Sequence, residues 1–266
     1  MTPPAVKLAA IELGLPVHQP EKVKSGELRA WLENAACDVG VVLAYGRILP
    51  PDVLATPRLG CVNLHASLLP RFRGAAPIQW ALLEGETTTG ISLMQMDAGL
   101  DTGPVFTRHV IPIGPHENAG ELSERLGELA AEVVRADVPR LAAGELHAAA
   151  QDAARVSYAP PLEREHGRID WTKSAAKIHD QVRGLTPRPG AFTTLRGKQL
   201  RITRTARIDR APPLAPGALR IEKPRVLIGT GEGALELLRA QAEGKKELEA
   251  LALVNGRTLV DGDTLS

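Results

Sequence analysis

Asn63 and His65 stand two residues apart in the segment Asn63-Leu64-His65-Ala66-Ser67-Leu68-Leu69-Pro70. On an extended chain, residues two apart share a face, so the amide and the imidazole point the same way. An imidazole can hold or release a proton near neutral pH, and a carboxamide N–H can donate to an oxygen gaining negative charge. The plainer alternative is a polar pair satisfied at the end of a strand. A second cluster, Met96-Asp97-Ala98-Gly99-Leu100-Asp101-Thr102-Gly103, is a Gly-rich loop. Its two carboxylates either orient a histidine or cap turns, and taken alone the loop reads as turn capping. Tyr45-Gly46-Arg47-Ile48-Leu49-Pro50 is a third cluster, whose backbone groups suit a flat heteroaromatic ligand.

Several chemistries lack support. Neither GxxxxGK[ST] nor GxGxxG is present, which argues against a nucleoside triphosphate or a dinucleotide cofactor. No Ser or Cys lies in a nucleophile-elbow context. No HExxH or CxxC spacing supports a metal, and Cys37 and Cys61 alone make neither a disulfide scaffold nor a four-ligand zinc site. Acid–base and oxyanion chemistry without a metal remains.

Both clusters need a scaffold that presents strand ends. The apolar run 38–45 reads as a buried parallel strand, and 60–67, 89–96 and 105–113 read as three more. Helical patterns lie at 3–13, 25–36, 77–84 and 117–143; in the last, Leu122, Leu126, Leu129, Val133 and Leu141 recur at helical spacing. Alternating strands and helices predict an open α/β sheet with a largely parallel centre, where ligands bind beyond the strand C-termini, the position of His65. After a Pro-containing connector at 154–163 and an amphipathic helix at 174–185 the pattern changes. Short β-like pieces at 191–195, 200–208, 218–222 and 225–231 suggest a small β-barrel. The expected division is 1–153 and 154–266. A doubly wound sheet normally opens strand, helix, strand, whereas the first strong strand here starts only at Asp38.

Charge divides at the same place. The 266 residues carry a net charge of +1, yet residues 1–159 sum to −5 and 160–266 to +6. Arg164 to Arg210 holds 12 basic and 4 acidic residues. A neutral chain with one basic half suits a polyanion such as nucleic acid, or a solvated basic surface beside an acidic partner domain. Only eight residues are aromatic, so the core must be mainly aliphatic. No apolar run approaches the roughly 18 residues a membrane span requires, and no charged-then-apolar leader is visible, so a cytoplasmic protein is expected.

Residues 63–105, NLHASLLPRFRGAAPIQWALLEGETTTGISLMQMDAGLDTGPV, closely resemble the formyltransferases that use 10-formyltetrahydrofolate. The resemblance rests on Asn-x-His, then Ser67 to Pro70, then Asp101, which lies 38 positions after Asn63. Within that family, Arg73 to Gln79, Gln95 to Asp97 and the segment RIDWTKSAAKIHDQVRGLTPRPGAF (168–192) are similar to the branch that formylates methionyl-tRNA. The basic 164–210 stretch agrees independently, since a tRNA needs phosphate contacts. Family members usually begin roughly 45–50 residues further upstream, so the resemblance implies a Rossmann-like formyltransferase sheet truncated at its N-terminus, followed by an OB-like domain.

The resemblance further implies transfer of a formyl group from N10 of 10-formyltetrahydrofolate, the formyl-donor co-substrate, to the α-amine of methionine on initiator tRNA. Asn63 and His65 would stabilise the oxyanion, and Asp101 would orient His65 and help remove the amine proton. Arg47, Ile48 and Leu49, with Ser67, Leu68, Leu69 and Pro70 and with Met96, Asp97 and Leu100, would line the folate pocket. Arg168, Lys173, Arg183, Arg188, Lys198 and Arg201 would grip tRNA. No metal and no membrane partner are expected, and the protein is expected to be a monomer. A nucleotide-sugar amine formyltransferase and a tRNA-binding remnant without activity are the competing readings.

Overall fold

The computed structural model describes residues 3–208 and 213–266; Arg210, the last arginine of the basic stretch, lies outside them. The first half runs α1 (Ala5–Glu12), α2 (Glu27–Ala35), β1 (Gly40–Val42), α3 (Pro51–Leu54), β2 (Cys61–His65), β3 (Arg73–Gly74), α4 (Pro77–Leu83), β4 (Thr88–Gln95), β5 (Val105–Pro112) and α5 (Ala119–Ala142). Four strands form one sheet in the order β1-β2-β4-β5. The α/β architecture is as expected, but the sheet is mixed: β1 and β2 are parallel, whereas β2–β4 and β4–β5 are antiparallel. The cause is the connection between β2 and β4. Helix α4 has only seven residues, about 10 Å, and the chain before it is held elsewhere, so β4 is entered from the end at which β2 leaves. The run 38–45 is not a buried strand either. Among the described residues it pairs on one side only, as β1, and Val41, Leu43 and Tyr45 are exposed.

Helix α5 is the longest element, and its start is encoded locally. Asn118 Oδ1 accepts from the N–H groups of Gly120 and Glu121, and the Glu121 carboxylate accepts from the Asn118 N–H, a capping box. Its buried stripe, Leu122, Leu126, Ala130, Val133 and Leu141, packs with Ile91 and Leu93 of β4. Asp137 interrupts that stripe. It is buried and accepts from Thr107 Oγ1 at 2.6 Å and His109 Nε2 at 2.7 Å on β5. Burial pushes its carboxyl up; the bonds from Thr107 and His109, with the charges of His109 and Arg140, outweigh this and hold it below the usual range.

The second half runs β6 (Tyr158–Ala159), α6 (Ala175–Leu185), β7 (Ala191–Leu195), β8 (Lys198–Arg207), β9 (Leu219–Glu222), β10 (Arg225–Gly229), β11 (Ala234–Ala242), β12 (Glu247–Glu249) and α7 (Ala250–Asn255). A six-stranded antiparallel sheet, β7-β8-β11-β10-β9 with β12 beside β11, surrounds a second core that includes Trp171, Ile178, Ile202, Leu235 and Leu253. Among the described residues, strand pairing does not close this sheet into a barrel. Its edges are linked through the last residues instead, by the bridges Leu195–Leu265 and Ala218–Thr264. The connector packs on the first half as far as Ala159, which is buried in the α5 core.

The halves meet where α6 lies on α4. A side chain at Gly184 would come within 3.2 Å of Gln79 O and Leu82 Cβ, so glycine sets the close approach. His179 of α6 is buried beside it, with Nε2 3.0 Å from Pro115 O and Nδ1 3.0 Å from Thr205 Oγ1. Burial lowers its pKa from the ordinary 6.5, despite the bond to Pro115, and the Arg183 charge lowers it further. A base with a depressed folded pKa binds fewer protons folded than unfolded. Its stability contribution is complete above about 6.5 and declines as pH falls through and below that value. Chemical unfolding of the parent is expected to show stability falling from pH 7.5 towards pH 5.5, with a shallower slope in His179→Gln; equal slopes would exclude this contribution.

Candidate active site

Strand β2 is flanked by β1 and β4, which place Val42 and Met94 opposite Asn63 and Ser92 opposite His65. Asn63 and His65 therefore occupy one face at the C-terminal end of an interior strand. Among the described residues no hydrogen bond engages the Asn63 side chain, which leaves its amide available to a ligand. His65 is 5% exposed, with Nε2 2.8 Å from the carbonyl oxygen of Phe72. A carbonyl only accepts, so Nε2 carries the hydrogen and Nδ1 is left as the acceptor nitrogen. Nδ1 lies 3.6 Å from Asp101 Oδ2, within ion-pair range and longer than a hydrogen bond. The same Oδ2 accepts the Gly74 N–H at 2.9 Å.

Two left-handed backbones support this arrangement. Phe72 has φ 61° and Asp101 has φ 52°, where non-glycine residues are uncommon and a bulky one is an outlier. Gly74, at φ 126°, brings its N–H to Asp101 where a Cβ would meet Ala159 O at 2.6 Å. None of these supporting groups stands out in the sequence. Phe72 O and Gly74 N are main-chain atoms, and the residues that hold them lie far along the chain.

The residues expected to line a folate pocket divide in two. Ile48 is 82% exposed and Leu100 is 58% exposed, so the loops after β1 and β4 offer apolar side chains to a ligand. Met96 is half-buried and Asp97 is exposed, its Oδ1 accepting from Gly99 N and Thr102 Oγ1 within the loop. Arg47 is exposed and donates to Glu21 O. Leu49, Ser67 and Leu69, by contrast, are buried. Leu69 packs against Met94 and Val105; Ser67 Oγ donates to Arg71 O; the Leu69 and Pro70 carbonyls accept from Arg108 and Ser157. These polar groups are occupied within the fold, while Leu68 of the same segment is half-buried. Cys61 is no nucleophile: burial, and then the Cys37 charge, push its thiol up to about 11.

Of the basic residues, Arg168, Lys173, Arg188 and Lys198 are exposed. Arg183 is not available to phosphate: it is 8% exposed, pairs with Asp180 at 2.7 Å and donates to Gly114 O. Arg201 is half-buried and donates to Pro187 O. An open cleft of about 420 Å³ lies beside Arg168, Asp170, Trp171 and Leu265, in the second half and away from His65.

The formyl transferase family matches residues 3–137, and the formyl transferase C-terminal domain matches residues 161–258. A methionyl-tRNA formyltransferase of Sorangium cellulosum (strain So ce56) is 52% identical over 268 residues, covering 98% of this chain and 85% of that protein. The chain belongs to the methionyl-tRNA formyltransferase family. Another relative of that name, from Solibacter usitatus (strain Ellin6076), is 44% identical over 98% of this chain and 83% of its own length. Solved structures share the fold at lower identity. HypX from Aquifex aeolicus in complex with tetrahydrofolic acid superimposes with a TM-score of 0.66 at 19% identity, over 94% of this chain and 45% of that one. WlaRD, a sugar 3N-formyl transferase, gives 0.68 at 16%, over 91% and 82%. As a formyltransferase, the chain is a transferase, and none of its described helices is long and apolar enough to cross a membrane.

Proposed function

We propose that this chain moves the formyl group of 10-formyltetrahydrofolate to the α-amine of methionine on initiator tRNA. The carrying observation is the pair of buried His65 and half-buried Asp101 on the face that also presents Asn63. Attack of the amine on the formyl carbon puts negative charge on the formyl oxygen and positive charge on the nitrogen. The Asn63 amide, with no partner of its own, donates to that oxygen. His65, its Nε2–H spent on Phe72 O, takes the proton of the attacking amine at Nδ1 and passes it to N10 as the formyl C–N10 bond breaks and tetrahydrofolate leaves, while the Asp101 carboxylate balances the imidazolium in between. Ile48 and Leu100 give the folate ring apolar contact.

The deciding experiment incubates the chain with 10-formyltetrahydrofolate and methionyl initiator tRNA and assays formyl-methionyl-tRNA. Product is expected. Product from an amino-sugar nucleotide instead would move the acceptor assignment, and tRNA binding without any product would leave a binding protein.

Four exposed cations, Arg168, Lys173, Arg188 and Lys198, are the proposed phosphate contacts. Each such contact adds roughly −0.7 to −0.9 to the slope of log affinity against log salt. Raising salt from about 50 to 200 mM is therefore expected to weaken tRNA binding on the order of 50–150-fold. Each Lys→Gln or Arg→Gln change should flatten the slope by about 1. Filter binding across that range tests it, and a flat response in the parent removes these contacts.

A further inference from the structure

Asp101 sits in a left-handed backbone, 3.6 Å from His65, on the loop between β4 and β5. Something outside the loop must hold it there. The loop's own bonds, from Gly99 N and Thr102 Oγ1 to Asp97, tie it only to itself. The outside hold comes from the connector after α5. Gln151 Nε2 donates to Asp101 O at 2.8 Å and to Gly103 O at 2.7 Å. Its Oε1 accepts from Arg73 Nε at 3.1 Å and Nη2 at 2.8 Å, which fixes the amide with its donor towards the loop. Arg73 adjoins Gly74, whose N–H meets the Asp101 carboxylate. The Gln151 amide thus ties the main chain of Asp101 to the strand that receives its side chain. The same connector holds the histidine side. Ser157 Oγ accepts from Phe72 N, and Ser157 O accepts from Arg73 N, fixing the carbonyl that accepts the His65 Nε2–H hydrogen bond.

We propose that Gln151 is a positioning residue for the formyl-transfer reaction, setting the place of the Asp101 carboxylate relative to His65 from a connector some 50 residues further along the chain. This rests on the proposed roles of His65 and Asp101. Gln151 acts through Asp101 and contacts neither substrate. With both donor bonds gone, Asp101 leaves its left-handed conformation and its carboxylate drifts from His65. Misplacement of about 1 Å costs on the order of 10²-fold in rate.

Two variants separate this from a structural role. Gln151→Met keeps the length and removes both polar ends. Gln151→Glu keeps an acceptor for Arg73 but sets carboxylate oxygen against the carbonyls of Asp101 and Gly103, so it removes the donor function alone. Both are expected to lower kcat on the order of 10²-fold, with KM for donor and acceptor changed by no more than about twofold. In an Asp101→Asn background neither should lower kcat further, since the residue they act through is already disabled. The Gly74 amide resonance reports the Asp101 carboxylate directly, without turnover; in both variants it is expected to move to its position in Asp101→Ala.

An equal kcat loss with and without Asp101→Asn overturns the proposal, and so does a Gly74 resonance that ignores Gln151. If the parent forms no formyl-methionyl-tRNA while the Gly74 resonance still answers to Gln151, the reaction assignment fails and the positioning stands. If the parent turns over and both readouts ignore Gln151, the positioning fails and the reaction assignment stands.

Discussion

The His65→Ala variant is expected to form product about 10²–10⁴-fold more slowly than the parent, the range over which a positioned acid–base group acts. The reason is geometric. Nε2 is committed to Phe72 O, so Nδ1 against Asp101 is the ring position left for proton exchange. Removing the ring also leaves the Phe72 carbonyl without its donor, which costs about 1–3 kcal/mol of stability if the group stays buried. A slower enzyme could then be a partly unfolded one. His65→Gln separates the two effects, because its side-chain amide can reach the Phe72 carbonyl while offering nothing that titrates. It should melt near the parent and turn over as slowly as His65→Ala. Single-turnover kinetics with saturating substrates, beside thermal melts, measure both. Turnover of His65→Gln close to the parent would remove the proton-transfer role.

Asn63→Ala carries the second large effect, an expected loss of about 10²–10³-fold in kcat, the usual consequence of deleting one oxyanion donor. Asn63 lies between β1 and β4 in the middle of the sheet, and its amide has no hydrogen bond among the described residues. Truncation therefore removes no internal hydrogen bond, and KM should change little if the amide works only in the transition state. Asn63→Asp preserves the shape and points a negative charge at the developing oxyanion. It should be at least as slow as Asn63→Ala. An Asn63→Asp variant faster than Asn63→Ala would mean that the oxygen gaining charge lies elsewhere.

The two variants also bear on how the site was legible. Asn63, His65 and Asp101 were marked out in the sequence by residue type, by spacing and by their place at strand ends, and the fold brings His65 and Asp101 together. Burial within the expected folate lining was not legible in the sequence. Ile48 and Leu100 are exposed, whereas Ser67 and Leu69 share a motif with His65 and are buried, their polar groups bonded to Ser92, Arg71 and Arg108. A run of basic residues carries no record of which members point inwards, so nothing in it separates Arg183, buried and paired with Asp180, from its exposed neighbours.

What the sequence determined by itself was local. Helix α5 follows from its capping box and apolar stripe, α6 from the Ser174 cap and the buried Ile178, Val182 and Leu185 at helical spacing, and β2 from a short apolar run. The tertiary structure decided whatever depended on partners distant in sequence. Ala234–Ala242, rich in helix-forming Ala, Leu and Glu, is strand β11 because β8 and β10 pair with it on both sides and its small and aliphatic residues fill the core. The sheet is mixed because the chain between β2 and β4 is held by a connector more than 80 residues further on. The left-handed turn of Asp101, its bond to Gly74 and the amide of Gln151 have the same origin. The turn is held by hydrogen bonds to Gly74 and Gln151, 27 and 50 positions away, and only folding brings such groups within reach of one another.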